Sequence, residues 1–532
     1  MTNLIQRYQD SFRENAALPA VTQYADGKTY SYLQLAAKIK ENHSLFRSLG
    51  LEKGDKVALI GKNGVQWITT YISVITYGAV IVPILPDFNP IDAANIIGHS
   101  DAKLLYGDRS LLARMDTTSI TGLLRTMELE SVEDPVTDGF DPSAITYDIP
   151  DWEDLMVISY TSGTTGNSKG VMIPCRALSS NVDFTLDHGF HFRESHVLGL
   201  LPLAHAYGCC FDMLAPLTIG SHIFVLGKTP TPKILLQALK DVRPHLLCTV
   251  PLVMEKIVRK TVMPQLEKEP VKTLIKLPLV NDIIYSKIRK KILDAFGGRI
   301  MEINMGGAAL APDVEKLLRL IRFPFMVGYG MTETAPLMSY SGWREFKPGS
   351  CGQIFPGLDL RIEENGSAPG QGEICVRGVN VMLGYYKNPE ATAAALQDGW
   401  LHTGDIGYAD KDGTLYLKGR CKTMILTSAG QNIYPEEIEA KLNNLGGVLE
   451  SLVYEKDGKI YALVVPDGDW AKQNSVSDEG MREKMKENLL VLNSLVAPYE
   501  KVAEIKLFSE PFEKTPKQSI KRYLYPDGAK LM

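Results

Sequence analysis

Three apolar runs decide the fold class: KVALIGKNG (Lys56–Gly64), AVIVPILP (Ala79–Pro86) and AKLLYGD (Ala102–Asp108). Continuous apolar runs of this length are typical of strands that are covered on both faces of a sheet. Helical spacing of apolar residues precedes them, as in SYLQLAAKIKENHSLFRSLG (Ser31–Gly50). Strands that alternate with helices predict parallel sheets and therefore an α/β fold.

The same alternation continues to about residue 345, with predicted strands at SHIFVLG (Ser221–Gly227) and HLLCTVP (His245–Pro251) around a helix. Beyond it, short β-like runs separated by Gly, Pro and Asn predict a β-rich subdomain. The predicted organisation is a large N-terminal domain, 1–419, and a small, mobile α+β C-terminal domain, 420–532. The large domain comprises two α/β layers with parallel sheets, at about 1–150 and 151–345, and the β-rich subdomain at 346–419.

Composition excludes several classes of protein. The 532 residues include 57 basic and 62 acidic ones, a net charge of −5, so the whole molecule is not a generic nucleic-acid binder. The first twenty residues lack an apolar core behind a basic tip, so we expect no signal peptide. Seven cysteines without a Cys-x-x-Cys or Cys/His metal spacing favour free thiols in a reducing cytoplasm and disfavour a structural zinc.

The segment YTSGTTGNSKG (Tyr160–Gly170) has the chemistry of a phosphate-binding loop. Its glycines let backbone N–H groups approach an anion, its hydroxyl residues add donors, and Lys169 adds a positive charge. It is not a Walker A loop, because Gly170 stands where that motif requires Ser or Thr after the Lys.

Two further motifs carry groups suited to a nucleotide. GYGMTET (Gly328–Thr334) offers an aromatic face at Tyr329, a hydroxyl at Thr332 and a carboxylate at Glu333 that suits Mg²⁺. GWLHTGD (Gly399–Asp405) supplies a carboxylate that can accept from two vicinal ribose hydroxyls.

Together and in this order, these segments resemble the adenylate-forming superfamily: acyl-CoA synthetases, luciferases and peptide-synthetase adenylation domains. GQGEICVRG (Gly370–Gly378) and VMLGYYKNPEAT (Val381–Thr392) strengthen the resemblance, which covers about residues 25–525. VPLVMEKI (Val250–Ile257) and NIYPEEIE (Asn432–Glu439) are most similar to long-chain fatty acyl-CoA synthetases.

The resemblance implies a two-step reaction that uses ATP, Mg²⁺ and CoA. A carboxylic acid, expected to be a long-chain fatty acid, attacks the α-phosphate to give acyl-AMP and pyrophosphate, and CoA then displaces AMP. The cofactor-binding residues implied are Thr161, Ser162, Gly163, Thr164, Thr165, Gly166, Lys169, Gly306, Gly307, Ala308, Gly328, Tyr329, Gly330, Met331, Thr332, Asp405 and Arg420, with Glu333 for the metal. Tyr329 would stack on adenine, and Asp405 and Arg420 would face the ribose.

The resemblance also implies catalytic roles for Thr332, facing the α-phosphate, and for His205, between the acyl and thiol sites. The C-terminal domain would rotate about a hinge at Lys422 between the two half-reactions. The loop around Ala429–Asn432 would then form the CoA channel.

One departure from the family pattern concerns the closing Thr-x-x-Gly-Lys-Ile-x-Arg segment, which here reads EKTPKQSIKR (Glu513–Arg522). Ser519 occupies the slot of the adenylation Lys. Three interpretations follow: Lys517 substitutes for the missing cation, adenylation proceeds slowly without one, or the chain has lost adenylation and binds nucleotide or acyl-AMP. Transfer to an acyl-carrier protein instead of CoA is a further alternative.

Residues 256–299 contain eleven basic and four acidic residues. A solvated helical face is the simpler interpretation of this charge. The functional interpretation is a surface for an anionic partner, either acidic lipid headgroups or a ligand phosphate. The expected location is cytoplasmic, with peripheral membrane contact as the functional interpretation. Oligomeric state is not predicted.

Overall fold

The protein is described by a computed structural model. It describes residues 1–118, 120–129, 135, 137–161, 168–227, 231–277, 280–364, 369–426, 432–515 and 519–525.

The strands are β1 Pro19–Gln23, β2 Lys28–Ser31, β3 Lys56–Ile60, β4 Val80–Ile84, β5 Ala102–Gly107, β6 Arg125–Glu128, β7 Leu155–Thr161, β8 Lys169–Pro174, β9 His196–Gly199, β10 His222–Val225, β11 Leu246–Thr249, β12 Glu302–Met305, β13 Phe325–Val327, β14 Tyr329–Gly330, β15 Leu337–Tyr340, β16 Gln353–Ile354, β17 Leu358–Glu363, β18 Gly372–Gly378, β19 Gly384–Tyr385, β20 Leu396–Gln397, β21 Trp400–Ala409, β22 Leu415–Arg420, β23 Ile425–Leu426, β24 Asn432–Ile433, β25 Val448–Lys456, β26 Lys459–Pro466 and β27 Val502–Leu507.

The α-helices are α1 Leu4–Glu14, α2 Tyr32–Ser48, α3 Val65–Tyr77, α4 Pro90–His99, α5 Arg109–Leu112, α6 Cys175–Asp187, α7 Ala206–Cys209, α8 Ala215–Leu217, α9 Pro232–Val242, α10 Pro251–Ile257, α11 Met263–Leu266, α12 Val271–Leu274, α13 Val280–Ala295, α14 Pro312–Leu320, α15 Pro389–Ala395, α16 Pro435–Leu442, α17 Gly468–Gln473 and α18 Asp478–Leu495. Single π-helical segments cover Cys210–Leu214 and Val258–Val262, and 3₁₀ turns cover Pro142–Ala144, Thr332–Thr334, Pro498–Glu500 and Arg522–Leu524.

Local sequence explains why the predicted helix α2 and strand β4 form. α2 starts where Ser31 caps it, in a capping box whose second member is Gln34. All five residues of β4 are buried, as the apolar run predicts. The predicted α/β fold with parallel sheets is confirmed, because β3 pairs in parallel with both β4 and β5.

Two seven-stranded sheets form the α/β layers. Their strand orders are β19-β8-β7-β4-β3-β5-β6 and β13-β12-β11-β9-β10-β1-β2. The two sheets interleave along the chain, since β1 and β2 join the second sheet while β7 and β8 join the first. Sheet membership therefore does not follow the predicted layer boundary at residue 150, and the domain bounds themselves stay predictions.

Smaller sheets complete the molecule. The β-rich region contains an antiparallel sheet of β17, β18, β20, β21 and β22, and a short sheet of β14, β15 and β16. Towards the C-terminus, β25, β26 and β27 form a sheet that packs with α16 and α18 around its own apolar core. No described helix combines the length and the apolar character that crossing a membrane requires.

Candidate active site

The segment Gly328–Thr334 forms a tight turn after β13. A Cβ atom on Gly330 would overlap the carbonyl oxygen of Pro336, so the backbone approach here requires glycine. The Met331 N–H donates to the same carbonyl oxygen at 2.9 Å. The 3₁₀ turn that follows carries Thr332 and the buried Glu333.

The turn is linked to the β-rich sheet through Asp405. The Tyr329 hydroxyl donates to Asp405 Oδ2 at 2.6 Å, and Arg420 Nε donates to Asp405 Oδ1 at 2.7 Å. Asp405 and Arg420 are direct partners across β21 and β22, so the sheet register fixes their pairing. The Asp405 carboxylate raises the pKa of Arg420, while burial and the same carboxylate raise the pKa of Tyr329. The three predicted nucleotide residues are therefore adjacent.

Glu333 contacts a residue to which the sequence analysis gave no role. Tyr385, in β19, donates its hydroxyl to Glu333 Oε1 at 2.9 Å. The ammonium of Lys169 lies 4.8 Å from the Tyr385 ring centroid, within cation–π range. Burial and the Glu333 charge raise the pKa of Tyr385, so its hydroxyl stays a donor. Tyr385 lies in the family-like segment Val381–Thr392, but no local pattern distinguishes this tyrosine from its neighbours.

The predicted backbone segment at residues 306–308 follows β12 and lies beside Gly328. The Gly306 N–H donates to the Thr249 carbonyl at 3.2 Å, and the Gly328 N–H donates to the Met305 carbonyl at 2.8 Å. Gly307 has a φ of +83°, a conformation that favours glycine. Ala308 directly follows these two glycines in the same turn.

Two orphaned polar atoms mark the carboxyl ends of β11 and β12. Within the described residues, Thr249 Oγ1 and Asn304 Oδ1 are buried without a hydrogen-bond partner. Buried polar atoms are normally paired, so these two are open to an ordered water or a ligand. Ligands of open α/β sheets bind outside the carboxyl ends of parallel strands, which is where these atoms lie. No local sequence pattern marks either residue as part of a site.

His205 precedes α7, which continues into the π-helical segment Cys210–Leu214. A small cavity of about 20 Å³ lies beside it, lined by both neighbours of His205, Ala204 and Ala206, and by Ala335 from the Thr332 turn. Further lining residues are Tyr71, Ile173, Leu178, Cys209, Cys210 and Leu214. The walls are predominantly apolar, and the free space matches a single small apolar group. π-helical segments are frequent at functional sites.

Several predicted site residues lie outside the described residues: Ser162, Gly163, Thr164, Thr165, Gly166 and Lys517, together with most of the predicted channel loop. Thr161 ends β7 and Lys169 begins β8, so the described structure includes both ends of the predicted phosphate loop. Lys422 is exposed in the turn after β22. The roles assigned to all of these residues stay predictions.

The fold and the site have clear relatives. Residues 8–386 match the AMP-binding enzyme family. The long-chain-fatty-acid–CoA ligase of Escherichia coli O157:H7 is 28% identical over 511 residues, which cover 88% of this chain and 83% of that protein. The 2-succinylbenzoate–CoA ligase of Bacillus licheniformis is 28% identical over 465 residues, 86% of this chain and 88% of that protein.

A solved structure agrees at the level of fold. The O-succinylbenzoate coenzyme A synthetase from Bacillus subtilis, in complex with ATP and magnesium ion, has a TM-score of 0.76 and 21% identity. The similarity covers 99% of this chain and 100% of that one. The family match spans most of the chain and the fold similarity covers nearly all of it, so the protein belongs to the AMP-binding enzyme family and has the fold of the adenylate-forming enzymes.

Proposed function

We propose that this protein is an ATP-dependent acid–CoA ligase and that its acid is a long-chain fatty acid. The first step joins the carboxylate to the α-phosphate of ATP, releasing pyrophosphate. In the second step the CoA thiol attacks the acyl carbon, AMP leaves, and a thioester forms. Support comes from the family membership, from the two relatives that are CoA ligases, and from the Tyr329–Asp405–Arg420 arrangement.

The residues at the site suit this chemistry. An in-line attack at phosphorus needs positioning and charge neutralisation rather than a covalent nucleophile. Asp405 and Arg420 would hold the ribose, and Thr332 would donate to the α-phosphate. Glu333 has a carboxylate oxygen of the kind Mg²⁺ prefers, and Tyr385 orients it through Oε1. When bound, Mg²⁺ would neutralise part of the phosphate charge.

The observation that favours a fatty acid is the similarity to the long-chain-fatty-acid–CoA ligase of Escherichia coli O157:H7. Each buried CH₂ group contributes about 0.8 kcal/mol, so kcat/KM should rise about fourfold per added CH₂ until the acyl site is full. The test is pyrophosphate release with MgATP over a panel of acids from acetate to palmitate, including aryl acids. A best substrate among the aryl acids would show that the fatty-acid assignment is wrong.

A cavity variant sharpens this test. Ala206→Leu adds three carbons to the cavity wall and should shift the preferred chain towards shorter acids. Ala394→Leu makes the same change on the exposed face of α15 and is the matched control. An unchanged chain-length profile in Ala206→Leu would place the acyl chain elsewhere.

A second candidate function is motivated by Ser519. This residue is exposed, its carbonyl accepts from the Thr515 N–H at 2.8 Å, and its hydroxyl supplies no positive charge. Lys521 is 3.4 Å from Glu513 Oε2. If no acid in the panel releases pyrophosphate while AMP still binds, the protein is a nucleotide- or acyl-AMP-binding protein. Exchanging CoA for an acyl-carrier protein in a thioester assay decides the acceptor.

The basic segment 256–299 would dock on acidic lipid, where water-insoluble acids reside. Exposed lysines and arginines here are Lys256, Lys268, Lys272, Lys276, Lys287, Lys290, Lys291 and Arg299. The exposed apolar residues Leu277 and Ile283 lie among them. Anionic vesicles should bind the protein at low salt and release it at high salt. Binding that is absent or insensitive to salt would contradict peripheral membrane contact.

A further inference from the structure

A mixed cluster of metal-binding groups lies in the β-rich sheet, on strands β17, β18 and β21. Its members are Glu363, Cys375 and His402, and one ligand atom of each lies within 4.8 Å of the others. Glu373 adjoins them, with Oε2 at 3.0 Å from His402 Nδ1. We propose that these four residues form a binding site for a zinc-class divalent cation, separate from the Mg²⁺ site proposed at Glu333.

Strand register creates this cluster. Cys375 is the direct cross-strand partner of His402, and Glu363 is the direct partner of Glu373. Like charges in directly opposite positions destabilise a sheet, and a cation between the two carboxylates would remove that repulsion. No local Cys/His spacing could reveal the site, because its members come from three strands.

The distances suit tetrahedral coordination. Zn–S bonds of about 2.3 Å and Zn–N or Zn–O bonds of about 2.0–2.1 Å require ligand atoms separated by about 3.3–3.6 Å. Cys375 Sγ lies 3.5 Å from His402 Nδ1 and 3.6 Å from Glu363 Oε2. His402 Nδ1 lies 3.7 Å from Glu363 Oε2. Small side-chain rotations would therefore bring these three groups onto one ion, with Glu373, 3.0 Å from His402 Nδ1, as the proposed fourth ligand.

Charge and orientation also fit. A thiolate and two carboxylates carry three negative charges, and Arg361, which donates to Glu363 Oε2 at 3.3 Å, offsets one. The remaining charge matches a divalent ion. The Gly404 N–H donates to Glu373 Oε1 at 2.8 Å and so fixes this carboxylate with Oε2 towards His402. Cys375 is fully buried, while Glu363 is half exposed and gives the ion an entry path.

Binding is testable with the metal alone on the full chain. We expect one Zn²⁺ per chain to withstand gel filtration and an excess of Mg²⁺, because a thiolate selects the softer ion. Co²⁺ should give a thiolate-to-metal charge-transfer absorption, and binding should release the Cys375 thiol proton. None of these readouts depends on ligase activity, so their failure is distinguishable from failure of the proposed function.

Variants make the proposal falsifiable. Cys375→Ser should abolish the charge-transfer band, and Glu363→Gln should weaken Zn²⁺ binding at least about tenfold. Cys175→Ser, at another buried free cysteine, and Glu364→Gln are matched controls that should bind as the original chain does. If Cys375→Ser does not fold, the half-exposed Glu363 still provides the test. Absent stoichiometric binding, or equal binding by Glu363→Gln and its control, would overturn the proposal.

Discussion

Replacing Asp405 by Asn tests the proposed nucleotide site most directly. Asp405 is buried and accepts one hydrogen bond on each oxygen, from Tyr329 and from Arg420. Each carboxylate oxygen has about two lone-pair sites, so each can accept one ribose hydroxyl in addition. The substitution keeps the shape of the side chain and removes its charge.

The expected loss follows from the hydrogen bonds involved. A hydrogen bond to a charged group contributes about 1.5–3 kcal/mol, roughly twice a neutral one. Neutralising Asp405 therefore removes about half of this hydrogen-bond free energy at each of the two ribose hydroxyls. The total loss of binding free energy is about 1.5–3 kcal/mol. At 1.36 kcal/mol per factor of ten, the KM for ATP should rise about 10- to 150-fold.

The assay is pyrophosphate release at saturating acid, paired with AMP titration by calorimetry so that binding is separated from chemistry. Asp412→Asn is the matched control, because Asp412 is an exposed carboxylate of the same hairpin and pairs with Lys347 at 2.7 Å. Exposed ion pairs contribute little, so this control should leave the KM unchanged. A folded Asp405→Asn protein with an unaltered KM and AMP affinity would refute the ribose assignment.

Three further changes test other parts of the site. Lys517→Ala should slow acyl-AMP formation more than Lys521→Ala and spare thioester formation from supplied acyl-AMP; equal, negligible effects would contradict the substitution of Lys517 for the missing cation. Glu333→Gln should raise the Mg²⁺ concentration for half-maximal activity at least about tenfold, because a neutral amide is a poorer ligand than a carboxylate, and an unchanged Mg²⁺ requirement would rule out this metal role. Burial raises the pKa of Asp212 from 3.8 to about 8. The folded chain therefore retains a proton that the unfolded chain loses, and the free energy of unfolding should fall as pH rises between these values. Urea titrations at pH 5 and pH 8 should show that the free energy of unfolding falls less for Asp212→Asn than for the original chain. Equal decreases in this free energy would count against the linkage.

The strands and helices that the sequence predicts correctly are those that local patterns encode. β3, β4 and β5 lie within the three apolar runs, because burial on both faces requires nearly every residue to be apolar. The helix after Ser31 starts at a capping box, another local signal. The groups at Tyr329, Asp405 and Arg420 were selected from short motifs, and the structure brings them into contact.

Local sequence patterns specify the α/β class, the family resemblance and most of the candidate nucleotide residues, because chain conformation, burial and phosphate-loop chemistry leave short-range patterns. Three contacts leave no such pattern: the pairing of β1 with β10, the hydrogen bond from Tyr385 to Glu333, and the position of Cys375 opposite His402. These contacts join residues between 27 and more than 200 positions apart. Their choice depends on which strand pairing buries the most apolar surface and satisfies the backbone hydrogen bonds, a property of the whole chain that no local pattern records.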